Sequence, residues 1–183
     1  MKNILIVFDE KFEANKNDFG DFLAKYSTHI KFTIGSDISL SFNILTKPDS
    51  FNFVEKQIEK ERRNFDVVFC FTDIQYDDNY FLHEYNGLLI CSFWAWSYLT
   101  NLSKHNGLIY FIVAYLALII DETGFRHREI TGCIYDFLGD KRGVDDGMRQ
   151  ARICPNCLDR ISKNIRLPEQ IEILDDLKKL MNA

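Results

Sequence analysis

Apolar positions along this chain change their period several times, and each change marks an element. Ile4 to Phe8 is an unbroken apolar run closed by Asp9 and Glu10, which predicts a buried strand because a helix needs more length. Phe19, Phe22, Leu23 and Tyr26 fall at helical spacing behind Asp18, a residue type suited to cap a helix. "IKFTIG" and "SLSFNIL" read as strands, the second alternating from Ser39 to Ile44, and Gly35, Ser36 and Asp37 between them predict a hairpin. Asp49 or Ser50 then caps a helix with an apolar stripe of Phe51, Val54 and Ile58 and a solvated face supplied by "EKERR". "FDVVFCF" and "GLLICSF" are buried strands separated by the acidic, aromatic loop "TDIQYDDNYFLHEYN".

Beyond Phe93, "WAWSYLTNLSKHNG" leads into a long apolar helix ending near Glu122, with Gly124 as its stop signal. Pro168 opens a last amphipathic helix carrying Ile171, Leu174, Leu177 and Met181. The order β-α-β-β-α-β-β-α, a loop-rich cysteine segment and a helix predicts an α/β fold, with α+β as the alternative: a mixed sheet with packed helices. No repeat or Pro/Gly-rich linker interrupts it. The expectation is a single domain over 1-183, with an α/β core at 1-123, a zinc-binding segment at 124-166 and a C-terminal helix at 167-183.

Bulk properties narrow this picture. A chain of 183 residues buries roughly 70% of its unfolded surface, so a full core forms without disulfides. With 46% hydrophobic and 27% charged residues, extensive disorder is not expected. The net charge of -5 argues against a surface devoted to phosphate neutralisation. Residues 124 to 166 nevertheless carry nine Lys and Arg against six Asp and Glu, about +3, leaving about -8 for the rest. The N-terminal "MKNILIVFDE" is too short an apolar run for a signal peptide, so a cytoplasmic location is expected. "LIYFIVAYLALII" has 13 residues where a membrane span needs roughly 20, and reads as a core helix.

Five cysteines in a chain of this type favour free thiols or metal ligands over a disulfide framework. Cys70 and Cys91 sit inside apolar strands, where a thiol packs as a small hydrophobe. Cys154 and Cys157 form a CxxC pair, which suits tetrahedral zinc because a tight turn aims two thiolates at one ion. A redox-active pair is the alternative, although thioredoxin-like pairs open a helix directly after a strand and this one follows the polar "GDKRGVDDGMRQAR". Adding His127 and Cys133 gives H-x5-C-x20-C-x2-C, a complete three-cysteine, one-histidine set. Such a site is closed and structural, and worth on the order of 10 kcal/mol to folding. Three buried, unligated cysteines are the competing reading.

The stretch "ALIIDETGFRHREITGCIY", Ala117 to Tyr135, resembles the archaemetzincins, a metzincin-type family of zinc metallopeptidases with HExxHxxGxxHC, then x4-C-x-M, then CxxC. Gly124 falls on the family's glycine, His127 on its third histidine, Cys133 on its second cysteine, and Cys154 and Cys157 on the closing CxxC, with spacing differing by about one residue. Element order agrees from about residue 65 to 160. The resemblance implies a metzincin-like fold and a structural zinc. It also exposes departures: the first two zinc histidines fall on Ala117 and Asp121, the catalytic glutamate on Leu118, the methionine beneath the metal on Tyr135, and the first structural cysteine on Arg128. Ala and Leu neither hold zinc nor take a proton from its water.

The expected protein is therefore a catalytically inactive, zinc-stabilised module that binds a protein partner, without a membrane. His127 is expected to supply the ligand that Arg128 does not; the alternative is that His127 caps a helix or bonds a carbonyl while water completes the metal. Two further alternatives remain. A residual metal-dependent hydrolase would use Asp121 and His127, with Glu122 turned about 100 degrees off that face. A nucleic-acid-binding zinc knuckle would use Arg142, Arg149 and Arg152, opposed by Asp145 and Asp146. Asp73, Asp77, Asp78 and Glu84 form an acidic loop, and His29, His83 and His105 lack partners at ligand spacing. Trp94 and Trp96 are placed by element order near the substrate cleft that the resemblance implies.

Overall fold

The computed structural model describes residues 2–121, 123–137, 141–165 and 167–183. They form two compact units, one of residues 2–24 and 30–96, the other of residues 25–29 and 97–183.

The first unit is built on a five-stranded sheet. Its strands are β1 (Lys2–Phe8), β2 (Ile30–Ile34), β3 (Val67–Thr72), β4 (Leu82–Tyr85) and β5 (Leu88–Ser92), in the order β2-β1-β3-β5-β4. β1 pairs in parallel with β2 and β3, β3 in parallel with β5, and only β4 runs antiparallel, against β5. Residues 4–8 of β1 and 67–71 of β3 are all apolar and buried, as expected where helical crossovers leave both faces of a parallel sheet dry. α1 (Lys16–Tyr26) supplies Phe19 and Leu23 to the core, and α2 (Asp49–Arg62) supplies Phe51, Val54 and Ile58. Cys70 and Cys91 are wholly buried, and burial pushes both thiols far above their ordinary range.

Three local expectations are redrawn. The cap of α1 is Asn15, whose Oδ1 accepts the Asp18 amide at 3.3 Å, one turn earlier than the sequence pattern placed it. No hairpin joins residues 30–34 to 39–45. Instead Ile38 makes a single parallel bridge to Asp9, and Ile38, Leu40 and Leu45 pack in the same cluster as Phe51, Val54 and Ile58. Leu45 makes a second single bridge, to Tyr76, and Ile44 is exposed, so the alternating stretch is buried only at Leu40 and Leu45. The acidic loop, in turn, contains β4, joined to β5 through Asn86 and Gly87 at φ 51° and 72°. Asn-Gly between paired strands is the most favoured two-residue hairpin turn.

The second unit is helical. α3 (Trp96–Leu99) leads into it, followed by α4 (Lys104–Asp121), α5 (Val144–Gln150), α6 (Pro155–Asn164) and α7 (Pro168–Met181). α4 adds Lys104 to Gly107 and Asp121 to the 13-residue apolar run and reaches 18 residues. Among the described residues it is the one helix long and apolar enough to cross a membrane, and 61% of that stretch is buried within the protein. α5 comes close to α4 at Gly147, where a Cβ would lie 2.6 Å from Tyr110 Oη. α7 packs along α4 through Ile173, Leu174, Leu177 and Leu180; Ile171, assigned to that stripe by sequence, is exposed. Its buried Asp176 holds residues 25–29 in this unit, accepting the Thr28 amide at 2.8 Å and hydroxyl at 3.1 Å, and the His29 amide.

Candidate metal centre

The centre lies wholly within the helical unit and begins where α4 stops. Gly124, at φ +63°, lets the chain leave the helix after Asp121. The chain then folds back on itself: the His127 amide donates to the Tyr135 carbonyl at 2.9 Å, and the Phe137 amide to the His127 carbonyl at 3.0 Å. Asp136, almost fully buried, closes the intervening turn. Its carboxylate accepts the Thr131 amide at 2.7 Å, the Thr131 hydroxyl at 2.8 Å and the Cys133 amide at 3.1 Å. Gly132 takes φ +75° in that turn, and a Cβ there would meet the Gln150 side chain.

A second bridge brings in the distal cysteines. Ile134 donates to the Arg152 carbonyl at 2.9 Å, which lays residues 152–154 beside Cys133. Cys154 is the residue immediately before α6, Pro155 occupies the first helical position, and Cys157 follows on the first turn. Three residues apart on one turn, the two thiols share a face. α6 was not anticipated from the sequence, although Pro155 and the Leu158–Ile161 spacing were its signals.

The fold thus gathers His127, Cys133, Cys154 and Cys157, with all four ligand atoms within 4.8 Å of one another. His127 Nε2 lies 3.3 Å from Cys154 Sγ and 3.0 Å from Cys157 Sγ. Donors around tetrahedral zinc, with Zn–S about 2.3 Å and Zn–N about 2.0–2.1 Å, sit roughly 3.5–3.8 Å apart, so these atoms close on one ion with small adjustments. The surroundings of the three sulfurs differ. The Cys154 amide donates to Cys133 Sγ at 3.4 Å. At Cys154, burial is outweighed by hydrogen bonds from the Cys157 and Asn156 amides and the neighbouring thiols, and the thiol falls below its ordinary value. Burial pushes Cys133 up despite amides from Cys154 and Tyr135, and burial with the Cys133 charge pushes Cys157 up to about 12. A coordinated thiol is deprotonated outright, so metal binding reverses that burial effect. Donor set, convergence and amide hydrogen bonds together make this centre suited to zinc.

The remaining candidates are placed elsewhere. Asp121 is fully buried, and its carboxylate is held by Arg160 Nη2 at 2.8 Å and Nε at 3.2 Å and by the Thr123 hydroxyl at 2.7 Å. It is not brought together with His127 as a ligand pair, and Glu122, Leu138 to Asp140 and Arg166 lie outside the described residues. Tyr135, at the methionine position of the resemblance, donates its hydroxyl to the Ala117 carbonyl at 2.9 Å. Arg149 pairs with Asp145 at 2.8 Å and with Asn101, and Arg152 donates to the Thr131 carbonyl at 3.2 Å; both arginines are exposed. Arg142 lies in a short 3-10 turn ahead of α5. In the first unit, Trp96 is buried against Phe93 and Phe81, Trp94 is exposed, and His83 pairs with Asp78 at 2.7 Å. No signal in the sequence marked the roles of Asp136 and Arg160; that Arg160 serves as the cation for a buried Asp121 emerges only in the fold.

No protein-family model matches the sequence, and no curated protein matches it. Solved structures do share the fold. Archaemetzincin from Methanopyrus kandleri is 15% identical, aligning over 90% of this chain and 94% of its own with a TM-score of 0.57. A zinc-dependent peptidase from Methanocorpusculum labreanum (strain Z) is 13% identical, over 86% of this chain and 99% of its own, with a TM-score of 0.50. The fold is archaemetzincin-like: a mixed sheet with packed helices and a Cys3His cluster towards the C-terminus.

Proposed function

We propose that this protein is a catalytically inactive, archaemetzincin-like zinc protein that acts by binding a protein partner in the cytoplasm. The observation that carries the reading is the use made of the two residues a hydrolytic centre would need. His127 turns its Nε2 onto the thiols of Cys154 and Cys157, and the Asp121 carboxylate is neutralised by Arg160. Ala117 and Leu118 supply neither a ligand nor a base.

Zinc held by His127, Cys133, Cys154 and Cys157 has four protein ligands and no open position, so it supplies folding energy rather than an activated water. The chain's own residues do the remaining work: Asp136 shapes the loop that presents His127 and Cys133, and α6 presents the other two. Phe125, Ile130, Phe137 and Leu158 flank these ligands in sequence and are each 40–50% exposed, which supports a contact surface there. The net charge of -5 favours a protein partner over nucleic acid.

Metal analysis and a peptidase assay on the purified protein test the reading. One zinc per chain and no cleavage of a disordered protein substrate are expected. Cleavage that disappears in Asp121→Ala would overturn the inactive reading, and a native protein without zinc would overturn the structural centre.

A further inference from the structure

The Arg160 side chain touches both the sulfur set and the end of α4. Its Nη1 lies 3.5 Å from Cys157 Sγ, while Nε and Nη2 engage Asp121. Its guanidinium also stacks 3.9 Å from the centre of the Phe125 ring and lies 5.1 Å from that of Tyr135. The planar fork therefore has a fixed orientation: its Asp121 edge faces α4, its remaining nitrogen faces the thiol, and aromatic rings lie over it. Arginine suits this because it stays charged and directs several N–H groups in one plane.

Three thiolates, one neutral imidazole and a divalent zinc leave a single negative charge, spread over the sulfurs. A cation beside one sulfur offsets that charge and draws electron density from it. The fully buried Asp121 then has a reason for its place, since it fixes the fork that reaches Cys157. Thr123 completes the line by donating to the same carboxylate.

We propose that Arg160 is the outer-sphere positioning residue of the zinc centre, and that the Asp121–Arg160–Cys157 line joins metal binding to the C-terminal end of α4. This inference rests on the zinc centre above and extends it to the metal's strength and electronic character. Partners of metal ligands typically contribute 10–100-fold to metal affinity.

The test uses the full chain loaded with zinc or, for spectroscopy, cobalt(II). Arg160→Met is expected to bind zinc 10–100-fold more weakly in competition with a chromophoric chelator. Its sulfur-to-cobalt charge-transfer band is expected to move to lower energy, because a thiolate relieved of an N–H donor is more electron-rich. Asp121→Asn is expected to shift both readouts in the same direction by less, and the double variant to lose no more affinity than Arg160→Met alone. Arg160→Lys keeps the charge without the fork and is expected to lie between wild type and Arg160→Met; it carries the test if Arg160→Met does not fold. Unchanged affinity and an unchanged cobalt band in the folded Arg160 variants would overturn the proposal while leaving the zinc centre standing. A wild-type chain that binds no zinc would remove the centre itself.

Discussion

His127 can give its Nε2 to one centre only, and here it gives it to sulfur. At the scale of the residue this separates the four ligands from the other candidates. Cys133→Ser is expected to abolish tight zinc binding, because the replaced thiol is fully buried and no other described cysteine reaches its place. His127→Ala is expected to weaken binding without abolishing it, since water can complete a three-thiolate set. Competitive zinc titration of both variants checks the order. Cys70→Ala supplies the contrast: a buried thiol in β3 is expected to cost about 1 kcal/mol in urea unfolding and to leave zinc binding unchanged. Three of five cysteines were separable in the sequence because they fall at ligand spacing with each other and with His127, whereas Cys70 and Cys91 sit inside apolar strands. Arg160 was not, because its partner Asp121 lies 39 positions away on another helix.

Elements present these residues through backbone turns. Gly132 combines φ +75° with a Cβ position 2.3 Å from the Gln150 side chain. Gly132→Ala is expected to destabilise the protein by about 1–2 kcal/mol for the left-handed backbone alone. Adding Gln150→Ala should recover only the crowding by Cδ and Oε1, since the Gln150 Cβ, 2.7 Å away, remains; urea unfolding of the two variants measures that part. The elements that were legible in the sequence are those whose packing repeats: β1, β3, β5, α2 and α4 bury one run or stripe each. β4 was missed because its four residues give too few alternations for a period to stand out, and α6 because the CxxC that opens it reads as part of a loop-rich metal segment.

At the scale of the molecule the two units have different sources of order. The sheet unit rests on apolar burial, whereas residues 123–137 and 152–157 are joined largely by isolated bridges and by the ligands. Chelation of zinc is therefore expected to lower the melting temperature and to speed amide exchange at His127, Ile134 and Leu158, while the amides of β1 and β3 keep their protection. The helical unit also depends on Asp176. Burial opposes its ionisation, but the His29 amide, Lys179 and the Thr28 amide and hydroxyl outweigh this and hold its carboxyl below the usual value. A depressed carboxyl contributes stability above the unfolded value of about 3.9 and loses it as pH falls through the folded one. Asp176→Asn is thus expected to cost about 1–3 kcal/mol at pH 7, with the gap to wild type closing below about pH 4. Thermal melts of both proteins across that range measure it.

By itself the sequence determined the α/β class, the apolar core strands, the long helix and the set of four candidate ligands, because periodicity and residue chemistry are local properties. It also determined what Ala117 and Leu118 are unable to do. Only the tertiary structure decided that His127 meets the cysteines and that Asp121 meets a guanidinium. Those choices depend on how a turn pinned by Asp136 and a helix opened by Pro155 converge, and on a buried carboxylate taking the cation that folding brings to it. Spacing along a chain limits which groups can meet; the packing of separate elements settles which do.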